Sequence, residues 1–357
     1  MDETVQKRLI LHVGAPKCGS SALQTYLSSL GEFETPKIGR AGYGLLQAKG
    51  GLITDAERIR RQAENSPFGY RISQRFTHLP NTAEFARLLE HGFDAGFASK
   101  DTIVLSCEGW IGESNAAAAV LALVPDSVEV DVLAWIRPAV DAANSGWWQW
   151  GAWTEQSLDQ FIARSEPGRM HAPQLQQWAE NVNSLSVIPL HQADIIEDVN
   201  ALFGIERASH APDSERRSNR SLPGSVLRLY QRHRHLRPGP HESRNDFILE
   251  QFVEGDRTPW VIPLEHVQRI LGHAQHSLDS LRPYIPDCYW SRIDSVAKWT
   301  DPSAYMDKIT VPWSRQEVPN PELDHLTAQL ATAVVGLYEE NLRLKSGAAR
   351  SQSRPSA

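Results

Sequence analysis

Residues 9–23 read Leu-Ile-Leu-His-Val-Gly-Ala-Pro-Lys-Cys-Gly-Ser-Ser-Ala-Leu. The apolar run predicts a buried strand, the segment bounded by Gly14 and Gly19 a tight loop, and the residues after it an amphipathic helix. A strand that turns this sharply into a helix leaves several backbone N–H groups pointing at one spot. Together with the helix dipole they make a site for phosphate or sulfate. The position of the lysine then narrows the ligand. A nucleoside-triphosphatase loop reads G-x-x-x-x-G-K-[ST], with lysine directly after the second glycine. Gly14 and Gly19 keep that spacing, but Ser20 follows Gly19 and the lysine stands earlier, at Lys17. The anion cradle is kept while the ATP-type lysine is missing.

The rest of the chain supplies a sheet for this turn. Apolar runs at 101–106, 128–136 and 185–190 predict further strands, the second closed by Arg137-Pro138. Between them lie helical stretches at 115–123, with Ser114 as N-cap, at 139–150 with Pro138 at the first helical position, and at 194–203. Strands alternating with helices imply a parallel sheet with right-handed crossovers, whose ligands sit beyond the carboxyl ends of the strands. The expected fold is α/β, a three-layer P-loop-type parallel sheet flanked by helices, with helical insertions and a helical C-terminal part. Residues 1–345 are expected to form one domain. Within it, 31–100 is an insertion, helical only at 53–65 and 82–91, and 205–345 is a mostly helical extension with helices at 222–236, 263–281 and 322–344. Residues 346–357 are expected to be a disordered tail.

Bulk composition excludes several classes. Of 357 residues 41% are hydrophobic and 22% charged, an ordinary globular balance, and the net charge of −7 argues against a nucleic-acid binder. Cys18, Cys107 and Cys288 are odd in number and widely spaced, which fits neither a disulfide framework nor a metal site and suits a reducing compartment. The first eight residues are too polar for a signal peptide, and no apolar run is long enough to span a membrane. A cytoplasmic enzyme is the expectation.

Pro-Lys-x-Gly-[ST]-[ST] after a hydrophobic strand resembles the sulfotransferase family. The resemblance covers residues 8–30 and 102–150 best, and extends more weakly to residue 203 and the segment around Asn219. It implies that Ala15, Pro16, Lys17, Cys18, Gly19, Ser20 and Ser21 wrap the 5′-phosphosulfate of 3′-phosphoadenosine 5′-phosphosulfate (PAPS). In the family, an arginine at a strand end and a serine eight residues later hold the 3′-phosphate; Arg137 and Ser145 have that spacing. Arg216-Arg217-Ser218-Asn219-Arg220-Ser221 resembles the family's Asn-x-Ser-Leu segment. There Arg217 and Asn219 are candidates to close over the nucleotide, and a solvated charge run with Ser221 as N-cap is the alternative.

Sulfuryl transfer needs in-line geometry, stabilisation of charge on the bridging oxygen and a base for the attacking hydroxyl. Lys17 is the candidate for the second task, so that no metal is required. Glu108, after the second buried strand, is the candidate base, with His191 next and His12 a packed core residue. Cys18 sits at a helix N-terminus, where thiol pKa values fall. A cysteine nucleophile, however, heads its own anion loop, and this loop lies before Cys18. Trp147, Trp148, Trp150 and Trp153 suggest either a platform for a carbohydrate or glycolipid hydroxyl, or packing. The basic stretch 228–244 suggests an anionic glycan or a solvated surface. Two other readings stay open: a P-loop small-molecule kinase, and a non-catalytic nucleotide-binding protein of the same fold. No nucleic-acid partner is expected.

Overall fold

The computed structural model describes residues 6–66, 68–165, 170–190, 195–206, 222–249, 258–309 and 321–352. Packing divides the chain into two compact units. One holds Met1–Ala142, Pro167–Ser218 and Gln268–Ser303, the other Ala143–Glu166, Asn219–Val267 and Ala304–Ala357.

The first unit is an α/β fold built on a seven-stranded, mainly parallel sheet flanked by helices. Its strands are β1 (Arg8–Val13), β2 (Glu32–Thr35), β3 (Gly39–Gln47), β4 (Gly51–Ile53), β5 (Thr102–Cys107), β6 (Glu129–Ile136) and β7 (Ser184–Pro189). The order is β2-β3-β5-β1-β6-β7, with β4 pairing β3; β2 and β4 run antiparallel to β3 and every other pairing is parallel. The central strands are near-continuous apolar runs because helices cover both of their faces. All six residues of β5 and the last seven of β6 are buried. Helix α1 (Ser20–Leu30) follows the glycine-bounded loop, and Tyr26 Oη on it donates to Asn200 Oδ1 at 2.6 Å on a helix at Ile195–Phe203.

Most of this was expected, but residues 31–100 are more ordered than their composition suggests. Besides α2 (Ala56–Glu64) and α3 (Ala83–Ser99), they contribute three strands. Three glycines in nine residues hide β3 from a propensity argument. One of them is needed by the packing: a Cβ on Gly44 would lie 2.8 Å from Leu105 Cδ2 and 3.0 Å from Ile103 Cγ2. Helix α3 also runs beyond the expected stop at 91, because Phe93 and Phe97 continue the buried face begun by Phe85 and Leu89.

The residues between α2 and α3 form a strap along the carboxyl end of β5. Ser73 N donates to Ser106 O (3.0 Å), and Gln74 N to Leu46 O (2.8 Å). Trp110 Nε1 donates to Gln74 O (3.0 Å), and Phe76 stacks on Trp110 with ring centroids 4.4 Å apart. Helix α4 spans Ser114–Leu121, so Ser114 lies inside it; Glu113 takes the N-cap position with its carboxylate turned to the strap.

The second unit is helical. Trp148, Trp153, Val226, Leu227, Tyr230, Leu236 and Leu249 form its core. Helix α5 (Ala139–Gln149) starts in the first unit and ends in the second. The C-terminal helix (Pro321–Gln352) continues through 346–352, where a disordered tail was expected. Among the described residues no helix is long and apolar enough to cross a membrane.

Candidate anion site at the carboxyl edge of the sheet

Strand register sets the site. Val13 pairs with Cys107, so Gly14 and Glu108 leave the sheet at the same level, and Gly14 N donates to Cys107 O at 3.3 Å. His12 lies opposite Leu133, so β6 runs further before it releases Arg137. From there Arg137 Nη1 donates to Lys17 O at 3.0 Å. The ends of β1, β5 and β6 thus bring Lys17, Glu108 and Arg137 together.

The loop itself is tightly curled. Lys17 (φ 64°) and Gly19 (φ 84°) both take left-handed conformations on either side of Cys18, the alternation that turns successive N–H groups into one concavity. No side chain caps α1 at Gly19, so its first-turn N–H groups keep their donors for a ligand. Lys17 is exposed, Ala15 buried, Pro16 half-buried.

Two observations test whether a phosphosulfate fits. Ser20 is 3% exposed, and its Oγ is buried with no hydrogen-bond partner. Such an atom calls for an acceptor or donor. A Cβ on Gly14 would collide with that Oγ and reach Glu108 Cα at 3.0 Å and His12 Cε1 at 3.2 Å, so glycine keeps the loop floor open beside the serine. The residues present fit the group.

The electrostatics sort the side chains by role. Burial raises the Glu108 carboxyl above the ordinary carboxylate range, with the Lys17 ammonium opposing it. Such a carboxylate is a better proton acceptor near neutrality than an exposed one. Cys18 departs from expectation: burial pushes its thiol up to about 12, outweighing the helix N-terminus and the nearby Arg137 guanidinium. A thiol held protonated is no nucleophile. His12 is 1% exposed, and burial holds it down to about 3, hence neutral; its Nδ1 lies 2.7 Å from Ser106 Oγ, which also accepts from Gln24 Nε2 at 3.1 Å.

One neighbour escaped sequence reasoning. Tyr70, on the strap, donates from its hydroxyl to Ser21 Oγ at 3.2 Å, and burial raises its pKa. No local signal marks it, since its partner is 49 residues away. Ser145 lies on α5 in the second unit. Arg217 and Asn219, with the rest of 216–221, and His191 lie outside the described residues.

The tryptophan platform and the basic stretch are largely structural. Trp148 and Trp153 are core residues, their indoles donating to Pro259 O (2.8 Å) and Trp148 O (2.7 Å), which leaves Trp147 and Trp150 half-buried. In 228–244, Arg232 pairs with Asp324 at 2.6 Å and Arg244 with Glu339 at 3.0 Å, and buried Arg237 pairs with Asp246 and lies 4.8 Å from the Trp153 ring centroid.

No family model matches the chain, and no curated protein does. Among solved structures the chain is similar to a sulfotransferase from Alicyclobacillus acidocaldarius, with 13% identity, a TM-score of 0.39, and coverage of 80% of this chain and 100% of the other. It is also similar to the signal recognition particle 54 kDa protein from Aeropyrum pernix K1, crystallised with GDP. That likeness has 13% identity and a TM-score of 0.26, and covers 96% of this chain and 78% of the other.

Proposed function

We propose that the chain is a sulfotransferase that moves the sulfuryl group of PAPS to an acceptor hydroxyl. The observation that supports this most is the joining of two features far apart in sequence. Lys17 stands ahead of the second glycine in a left-handed turn, and the guanidinium that ends β6 reaches its carbonyl at 3.0 Å. A triphosphate loop has no use for a cation at that point, whereas a sulfonated adenylate with a second phosphate uses both.

In this reading the loop N–H groups, Ser20 Oγ and Ser21 Oγ hold the 5′-phosphosulfate. Lys17 balances charge on the bridging oxygen as the S–O bond breaks. Arg137 takes the 3′-phosphate, and Glu108 removes the proton of the attacking hydroxyl. Sugar hydroxyls are the first acceptors to screen.

Titrating the protein with 3′-phosphoadenosine 5′-phosphate, ATP and GTP tests the reading. Tight binding of the first alone is expected; preference for ATP with Mg²⁺ refutes it in favour of a kinase. With labelled donor and a sugar panel, transfer separates an enzyme from a binding protein of the same fold.

Glu108 makes a pH prediction. Because burial raises its pKa, the base loses its proton only above the ordinary carboxylate range, and kcat/KM is expected to fall as pH drops through that raised value. Glu108→Gln is expected to lower kcat by about a hundred- to ten-thousandfold and to abolish this acid limb. A Gln variant with an unchanged profile removes Glu108 from the base role.

A further inference from the structure

We propose that two copies of the chain associate through a parallel two-stranded coiled coil formed by the outer face of the C-terminal helix, Pro321–Gln352. That helix carries two apolar stripes. Along one, Ala328 and Ala331 are 4% and 9% exposed, and both belong to the core of the second unit. Along the other, Leu330, Val334, Leu337 and Leu344 are 58%, 37%, 67% and 68% exposed. The second stripe lies roughly 135° around the helix from the first, so the packing that buries the alanines leaves it uncovered.

The spacing of the exposed stripe identifies its occupant. Leu330, Leu337 and Leu344 recur every seven residues, and Val334 and Asn341 stand between them in alternating steps of four and three. In heptad terms the leucines occupy d, and Val334 and Asn341 occupy a. Leucine at d with a β-branched residue at a favours two parallel strands, and a single asparagine at a fixes register by pairing with its own copy. Only a parallel, in-register pair of the same helix brings the two Asn341 side chains together. The flanking charges agree. Glu340 falls at g and Lys345 at the following e, so each glutamate of one copy meets the lysine of the other across the seam. The same four leucine and valine side chains would otherwise hold an apolar strip in water.

Sedimentation velocity on the full-length protein over a range of concentrations tests this, with circular dichroism to monitor the fold. The wild type is expected to be a dimer. Leu337→Asp is expected to be a monomer that keeps the helical circular-dichroism spectrum, since its side chain faces solvent in the single chain, and to melt at a temperature that no longer rises with protein concentration. Lys345→Glu is expected to weaken the dimer about tenfold, and adding Glu340→Lys to restore it. A wild type that stays monomeric at every concentration, a dimer that survives Leu337→Asp, or a charge swap that restores nothing would each overturn the proposal. Should Leu337→Asp fail to fold, the charge-swap pair decides alone. Donor binding by any of these variants reports separately on the nucleotide site.

Discussion

Replacing Lys17 with glycine is expected to slow sulfuryl transfer about a hundred- to a thousandfold while making the protein more stable. The rate loss is the usual effect of removing one preorganised donor from a developing charge. The stability gain follows from the backbone. Lys17 sits at φ 64°, where an L-residue bearing a Cβ costs roughly 1–2 kcal/mol relative to glycine. Glycine's greater freedom in the unfolded chain gives back about 0.5–1 kcal/mol, leaving a net gain of about 0.5–1 kcal/mol. Lys17→Ala is the control, with the same loss of rate and no relief of strain. Initial rates and urea unfolding of the three proteins measure both quantities. Retained turnover in the glycine variant removes Lys17 from the chemistry. A fall in its stability would mean that the lysine holds the loop together, and the strain would need another explanation.

The loop is the most legible part of the sequence because its lysine stands where the backbone disfavours a side chain. A lysine between two small-residue positions in a turn has no packing reason to be there, so the chemistry of an anion cradle was the simplest account of it. The strands β1, β5 and β6 were legible for a complementary reason: buried on both faces, they are written as unbroken apolar runs. Strand β3 was not, because its glycines answer to side chains of β5 that no local window contains. Cys18 misled for a related reason. Its place at a helix N-terminus is local and lowers a thiol's pKa, but the burial that outweighs it depends on how the sheet closes around the loop. Tyr70 and Glu113 carried no signal, since each acts through partners more than thirty residues away.

Glu113 carries the second large effect. Its side chain is 3% exposed and accepts three hydrogen bonds from the strap: Arg75 Nε at 2.6 Å, Phe76 N at 2.8 Å and Thr77 Oγ1 at 2.7 Å. Glu113→Ala leaves these donors unequal. The Arg75 side chain, 50% exposed, returns its charge to water at small cost, and the Thr77 hydroxyl can rotate. The buried Phe76 N–H has no such escape. Losing that bond and the charge-assisted ones together is expected to destabilise the protein by about 3 kcal/mol, below the full cost of stranding a buried ion. The midpoint of thermal unfolding should fall by roughly 6–12 °C. Glu113→Gln keeps an acceptor for Phe76 and should lose only about 1–2 kcal/mol. Arg75 also packs over Gly109, next to Glu108: a Cβ on Gly109 would lie 3.0 Å from its Cδ. Loosening the strap therefore lets water toward Glu108, and the acid limb of kcat/KM in Glu113→Ala is expected to shift down toward the ordinary carboxylate value. Equal losses in the alanine and glutamine variants would place the stabilisation in the charge of Glu113; an unmoved acid limb would separate the strap from the burial of the base.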